Sequence, residues 1–160
     1  KNLMKVMFIC TGNICRSAMA EAFMKKVAKE RSLDIEVCSS GTFAENGAFA
    51  SYNAIEAMKI YDIDLRSHRS TNIADSGILN MDLILCATLS HKISVMHMYP
   101  EIKEKVYTMK EYAEILGKDR DYDIKDPWGY NLDTFLSCAS EIEGCVEKII
   151  DKIQKNNKED

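Results

Sequence analysis

The chain has 160 residues, 46% of them hydrophobic and 29% charged, with a formal net charge of −4. That length suits one domain, 1–160, with a proper buried core, and the acidic balance argues against a general nucleic-acid binder. No apolar run reaches membrane length and no secretion signal is visible, so a cytoplasmic protein with no membrane contact is expected. Lys5 to Ile9 is rich in strand formers and predicts the first strand. It runs straight into the polar turn Cys10-Thr11-Gly12-Asn13-Ile14-Cys15-Arg16-Ser17. Ser17 to about Arg31 then reads as a helix with Met19, Phe23 and Val27 on one face. Ile35 to Ser39 predicts a second strand, and Asn53 to Tyr61 a helix with Ala54, Ala57 and Met58 inward. Leu83 to Ala87 is a continuous apolar run, hence a buried strand. Ser90 to about Met98 reads as a helix capped by Ser90. Val106 and Tyr107 give a brief last strand, Leu116 to Asn131 a polar loop, and Asp133 to Lys155 a long helix. Its buried stripe is Leu136, Ala139, Ile142, Val146, Ile149 and Ile153, and residues 156–160 are expected to fray.

Strands alternating with helices predict a parallel sheet covered on both faces, joined by right-handed crossovers. In such sheets the site lies beyond the carboxyl ends of the strands, where the cysteine turn leaves the first strand. The six cysteines have irregular spacing, so free thiols are expected, with Cys38, Cys86, Cys138 and Cys145 in the core. No spacing suggests zinc. His91 and His97 are expected to be exposed.

The turn carries the chemistry. A tight strand-to-helix turn directs successive backbone N–H groups inward as an anion cradle, and the helix adds the positive end of its dipole. A phosphate dianion fits such a cradle. The same donors stabilise a thiolate, the nucleophilic form of cysteine, which nominates Cys10. Arg16 can grip two phosphate oxygens with its planar fork, which lysine cannot do. Ser17 can donate its hydroxyl to the sulfur. Asp126 precedes Pro127, which restrains it, and is the candidate proton donor, with Asp121 and Asp123 as alternatives nearby. Trp128 is the single tryptophan and offers a flat wall for an aromatic group.

The pattern Cys10-(x)5-Arg16-Ser17 resembles the phosphate loop of the low-molecular-weight protein tyrosine phosphatases. Cys38-Ser39-Ser40-Gly41-Thr42, Ser67-His68-Arg69 and Asp126-Pro127-Trp128-Gly129 extend the resemblance over nearly the whole chain. It implies a single-domain α/β fold, phosphotyrosine phosphatase I-like, with a four-stranded sheet in the order 2-1-3-4. It implies hydrolysis of phosphotyrosine monoesters through a phosphocysteine, with Cys10 as nucleophile, Arg16 as phosphate clamp and Asp126 as general acid and base. Thr11, Gly12, Asn13, Ile14, Cys15, Ser17 and Trp128 would bind substrate. Asn13, Ser39 and His68 would brace the loop. Expected partners are phosphotyrosine proteins or small aryl phosphates, with inorganic phosphate as product and no cofactor or metal.

Two further properties come from the same resemblance. Oxidation can close a disulfide between Cys10 and Cys15. A branch of the family acts on phosphoarginine and places threonine at position 14, where this chain has Ile14; Gly129, where tyrosine-specific relatives often carry an aromatic, leans the other way. Thioredoxin-coupled arsenate reductases share the loop but relay through two downstream cysteines. Here Cys86 is near the first place and Ile93 stands in the second, which breaks the relay. A phosphopeptide-binding module without turnover is disfavoured by the intact Cys10, Arg16 and Asp126.

Overall fold

The computed structural model describes residues 3–159. Four strands form one parallel sheet in the order β2-β1-β3-β4, as the resemblance implied. They are β1 (Met4–Cys10), β2 (Ile35–Gly41), β3 (Leu83–Cys86) and β4 (Val106–Thr108). The register sets Cys10 opposite Gly41 and Ile9 opposite Cys86. Side chains alternate across the pleat. Val6 and Phe8 of β1 point into a core shared with α1 (Arg16–Glu30), α2 (Tyr52–Met58) and α5 (Leu132–Glu159). Met7 and Ile9 point into a second core with Ile73, Ile78 and Val95, the last from α3 (Leu89–Met98). A short α4 (Met109–Tyr112), which the sequence pattern did not reveal, starts with a capping box of Thr108 and Glu111.

The expected apolar faces are buried: Met19, Phe23 and Val27 on α1, and Ala139, Ile142, Val146, Ile149 and Ile153 on α5, while Leu136 is half-buried beside the fully enclosed Phe135. Most ends shift by one or two residues, and three helices differ from expectation for a visible reason. The helix read as Asn53–Tyr61 begins at Tyr52 behind the cap Ser51 and tightens to a 3₁₀ turn from Lys59. Helix α3 is capped by Thr88, whose hydroxyl accepts from the His91 amide, and not by Ser90. Helix α5 continues to Glu159, so 156–159 do not fray; Asp160 lies outside the described residues. Ile153 is buried one turn earlier and Lys152 sits 4.3 Å over the Tyr112 ring, so packing carries the helix past its apolar stripe.

After β2 the chain crosses β1 to lay down β3 on the other side, so the sheet order reverses between β1 and β3. A crevice opens at such a switch point, beyond the carboxyl ends of the strands. The loop after β1 and the loop after β3 form its two banks. No helix among the described residues is long and apolar enough to cross a membrane.

Candidate active site

The turn from Cys10 to Ser17 is held from outside by its carbonyl groups. Thr42 N–H donates to Cys10 O, Phe43 N–H to Thr11 O and Ser51 N–H to Ile14 O, at 2.9–3.0 Å. The His68 ring donates to Asn13 O at 2.7 Å. In a trans peptide the N–H points opposite to the C=O of the same unit. Each outward-tied carbonyl therefore turns the next amide, those of Thr11, Gly12, Ile14 and Cys15, into the loop. The cradle inferred from the sequence is thus built by donors on distant segments.

Asn13 sits at the centre of the brace. It is fully buried with φ 57°, a left-handed conformation that asparagine tolerates better than most residues. Its Oδ1 accepts from Thr71 N–H at 2.9 Å, which orients the amide. Its Nδ2 donates to both Ser17 Oγ and Ser39 Oγ, each at 2.8 Å. Ser39 in turn donates to Glu21 Oε1. Ser17 Oγ accepts from Asn13, which leaves its own hydrogen available to Cys10 Sγ, 2.9 Å away. Asn13, Ser39 and His68 are therefore brought together as expected, and Glu21 is a member that sequence reasoning missed. Gly41 is a second. A Cβ there would meet Thr11 O at 2.4 Å and Asn13 N at 3.0 Å, so only glycine lets β2 approach the loop.

Arg16 is almost wholly buried at the first turn of α1. Its Nη1 donates to Ile124 O at 2.9 Å and its Nη2 lies 3.6 Å from Asp126 Oδ2. Its buried Nε has no partner among the described residues. Buried donors are seldom left so, and the free edge of the guanidinium suits a bound oxyanion. Cys10, Thr11, Gly12, Ile14, Cys15, Arg16, Asp126 and Trp128 line one cavity of about 360 Å³, largely apolar. A larger cavity, about 510 Å³, lies behind the acid-bearing loop and contains neither Cys10 nor Arg16.

The loop bearing Asp126 is pinned to the sheet. Ile124 N–H donates to Ala87 O at 2.8 Å, and Asp123 Oδ1 accepts from Leu89 N–H at the start of α3. Asp123 is thus a helix-cap partner, not a loosely solvated loop charge. Asp121 is exposed and accepts from Asp123 N–H. Asp126 is half exposed, with Oδ1 accepting from Trp128 N–H. Trp128 is 64% exposed, so it walls the mouth rather than the floor. Gly129 takes φ 85° in the turn behind it, a conformation that a side chain there would strain.

The cysteines are free. Cys15 is buried, shares a hydrogen bond with Ser51 Oγ at 3.2 Å, and burial pushes its thiol up to about 11. Cys86, Cys138 and Cys145 are core thiols as expected, whereas Cys38 is half-buried. Cys86 is fully enclosed in β3 and Ile93 is exposed on α3, so no thiol pair is present there for a relay. Beside His68, Arg66 pairs with Asp64 at 2.8 Å and Arg69 lies 3.9 Å over the Phe49 ring.

His97 is exposed as expected, but His91 is buried. Its Nε2 pairs with Thr11 Oγ1 at 2.7 Å and its Nδ1 with Thr88 Oγ1 at 2.8 Å. Burial first, then the charge of Arg16, lowers it from 6.5 to about 4. The unfolded chain therefore takes a proton at this residue between about pH 6.5 and pH 4 that the folded chain refuses. Folding stability contributed at this site is full above pH 6.5 and is lost as pH falls toward 4. His91→Gln should remove about 2 kcal/mol of the fall in stability between pH 7 and 5. Urea unfolding of both proteins at the two pH values measures it, and equal falls would contradict the burial effect.

A protein-family model described as "Low molecular weight phosphotyrosine protein phosphatase" matches residues 5–159. A protein-arginine-phosphatase of Bacillus subtilis is 32% identical over 155 residues, 97% of this chain and 100% of that one. The solved structure of a low molecular weight protein tyrosine phosphatase from T. tengcongensis has 38% identity and TM-score 0.85, covering 93% of this chain and 99% of the other. The solved structure of the YwlE arginine phosphatase, a cysteine-to-serine mutant with a phosphorylated active-site serine, has 31% identity and TM-score 0.89, covering 97% and 99%.

Proposed function

We propose, from the premise that this chain belongs to the low molecular weight phosphotyrosine protein phosphatase family, that it dephosphorylates proteins through a phosphocysteine at Cys10 and prefers phosphotyrosine. In this reading the Cys10 thiolate attacks phosphorus in line with the ester oxygen. The phosphate oxygens take the inward amides of the loop and the free edge of Arg16. The P–O bond to the leaving group breaks, and that oxygen takes a proton from Asp126. Water then attacks the phosphocysteine and yields its proton to Asp126. The S–P bond breaks, and the Ser17 hydroxyl stabilises the departing thiolate. A phosphorylated active-site serine in the YwlE mutant supports a covalent intermediate for that relative. An oxidative Cys10–Cys15 disulfide belongs to the same reading; burial, which keeps Cys15 protonated, would make it slow to form.

The preference for phosphotyrosine is carried by Ile14. It lines the cavity together with Trp128, and the lining is largely apolar. The N–H groups of a phosphoguanidinium leaving group would meet one carboxylate, Asp126, and otherwise apolar walls. Buried donors left unpaired cost about 1–3 kcal/mol each, while an aryl ring loses nothing there. Phosphoarginine is the second reading, and the comparisons favour it over the first: a protein-arginine-phosphatase matches 97% of this chain, and the YwlE arginine phosphatase has the TM-score of 0.89. Whole-chain likeness weighs every position equally, whereas substrate choice rests on the few side chains that touch the leaving group.

One experiment separates the two. With paired peptides of one sequence, kcat/KM should favour phosphotyrosine over phosphoarginine at least ~10-fold, and Ile14→Thr should shift that ratio ~10-fold toward phosphoarginine. A native protein that already prefers the phosphoarginine peptide establishes the second reading.

A further inference from the structure

The first turn of α3 touches both halves of the site. Leu89 N–H holds the acid-bearing loop through Asp123, and two residues on, the His91 ring reaches across the switch point to Thr11, the first residue after the nucleophile. Thr88 Oγ1 already accepts from the His91 backbone N–H at 3.2 Å. Its own proton is then free for the ring Nδ1, 2.8 Å away. A neutral imidazole carries one ring hydrogen; with the Thr88 proton on Nδ1, that hydrogen is on Nε2 and is donated to Thr11 Oγ1. Thr11 is thereby held at two points, by His91 on its hydroxyl and by Phe43 N–H on its carbonyl. The Thr11 carbonyl and the Gly12 amide share one peptide plane, so fixing this residue fixes the direction of the Gly12 N–H inside the cradle.

We propose that His91 is a positioning residue for the phosphate loop, acting through its Nε2 on Thr11 to aim the first amides of the anion cradle. This rests on the phosphatase reading of the loop but is not identical to it. His91 sits at the back of the loop, outside the cavity lining, so it does not touch substrate. Its burial disfavours the charged form of the ring, so its bonds to Thr11 and Thr88 are those of a neutral imidazole.

Two substitutions separate the two ends of the ring. Glutamine places an amide N–H near the position of Nε2 and can still donate to Thr11. Asparagine reproduces Nδ1, keeps the contact with Thr88 and falls short of Thr11. Two readouts are needed: kcat for p-nitrophenyl phosphate, and the Kd of inorganic phosphate followed by fluorescence of Trp128 at the cavity mouth. His91→Asn should lower kcat and weaken phosphate binding each by ~10-fold, the scale of a small misplacement of donors. His91→Gln should stay within about threefold of the native protein in both. Thr11→Val should match His91→Asn, and the double variant should be no worse than either single one, because both break the same bond. Thermal midpoints of all four variants guard against a general loss of structure. Equal damage from Asn and Gln, native behaviour of His91→Asn, or additive losses in the double variant would overturn the proposal. Native protein that binds phosphate in this pattern yet turns nothing over would instead sink the phosphatase reading and leave the role of His91 standing.

Discussion

Cys10→Ser should remove turnover by ~10⁴-fold or more while phosphate binding and fold survive. A serine hydroxyl is a far weaker nucleophile than a thiolate, and nothing in the loop acts as a base for it: the Ser17 hydroxyl beside it is already oriented by Asn13 to donate. The substitution leaves the outward carbonyl ties untouched, so the cradle stays formed. Arg16→Lys should cost ~10²–10³-fold for a different reason. Lysine cannot reproduce the bond from Nη1 to Ile124 O while also presenting two donors to phosphate. It loses the clamp and one tether of the acid-bearing loop together. Steady-state kinetics on p-nitrophenyl phosphate, with inorganic phosphate as a competitive inhibitor, checks both variants. Substantial activity in Cys10→Ser would remove this residue as the nucleophile, and native kinetics in Arg16→Lys would remove the clamp.

Asp126→Asn should cost ~10²–10³-fold with tyrosine-like leaving groups, within the range expected for a lost general acid. Asparagine keeps an Oδ1 that can accept from Trp128 N–H, so the loop should keep its shape while the proton is lost. The loss should therefore shrink as the leaving group becomes more acidic and needs less protonation. A series of aryl phosphates spanning leaving-group acidity, run on both proteins, reads this slope. A loss that does not vary along the series would mean that Asp126 only positions the loop. Asp123 could not then simply take over, because it lines the larger cavity and not the one that holds Cys10 and Arg16.

What was legible in the sequence is what a short stretch of chain determines by itself. The strand, turn and helix from Lys5 to Arg31 are contiguous, and hydrophobic period and turn chemistry act over a few residues. A cysteine, a glycine and an arginine in that turn mark a candidate anion site before any tertiary contact is known. Asp126 was legible because Pro127 marks a restrained bend beside a lone tryptophan. The parallel α/β class followed from alternating elements, while the strand order came from the family resemblance.

The tertiary structure decided the rest, because those features depend on segments that meet across many tens of residues. His91 reads as an ordinary polar position on a short helix, and its burial arises where the β3–α3 connection lands beside the β1 loop. Glu21 and Gly41 matter for the same reason: the first accepts from Ser39 and so extends the brace of Asn13, and the second gives way to the backbone of Thr11. Asp123 is one of three acids in the polar loop by sequence, and its pairing with the Leu89 amide arises only in the fold. Pattern along a chain reports which face of an element is apolar. Which polar group meets which is set by the sheet order that brings the loops after β1 and β3 together, and by the need to pair every buried donor there.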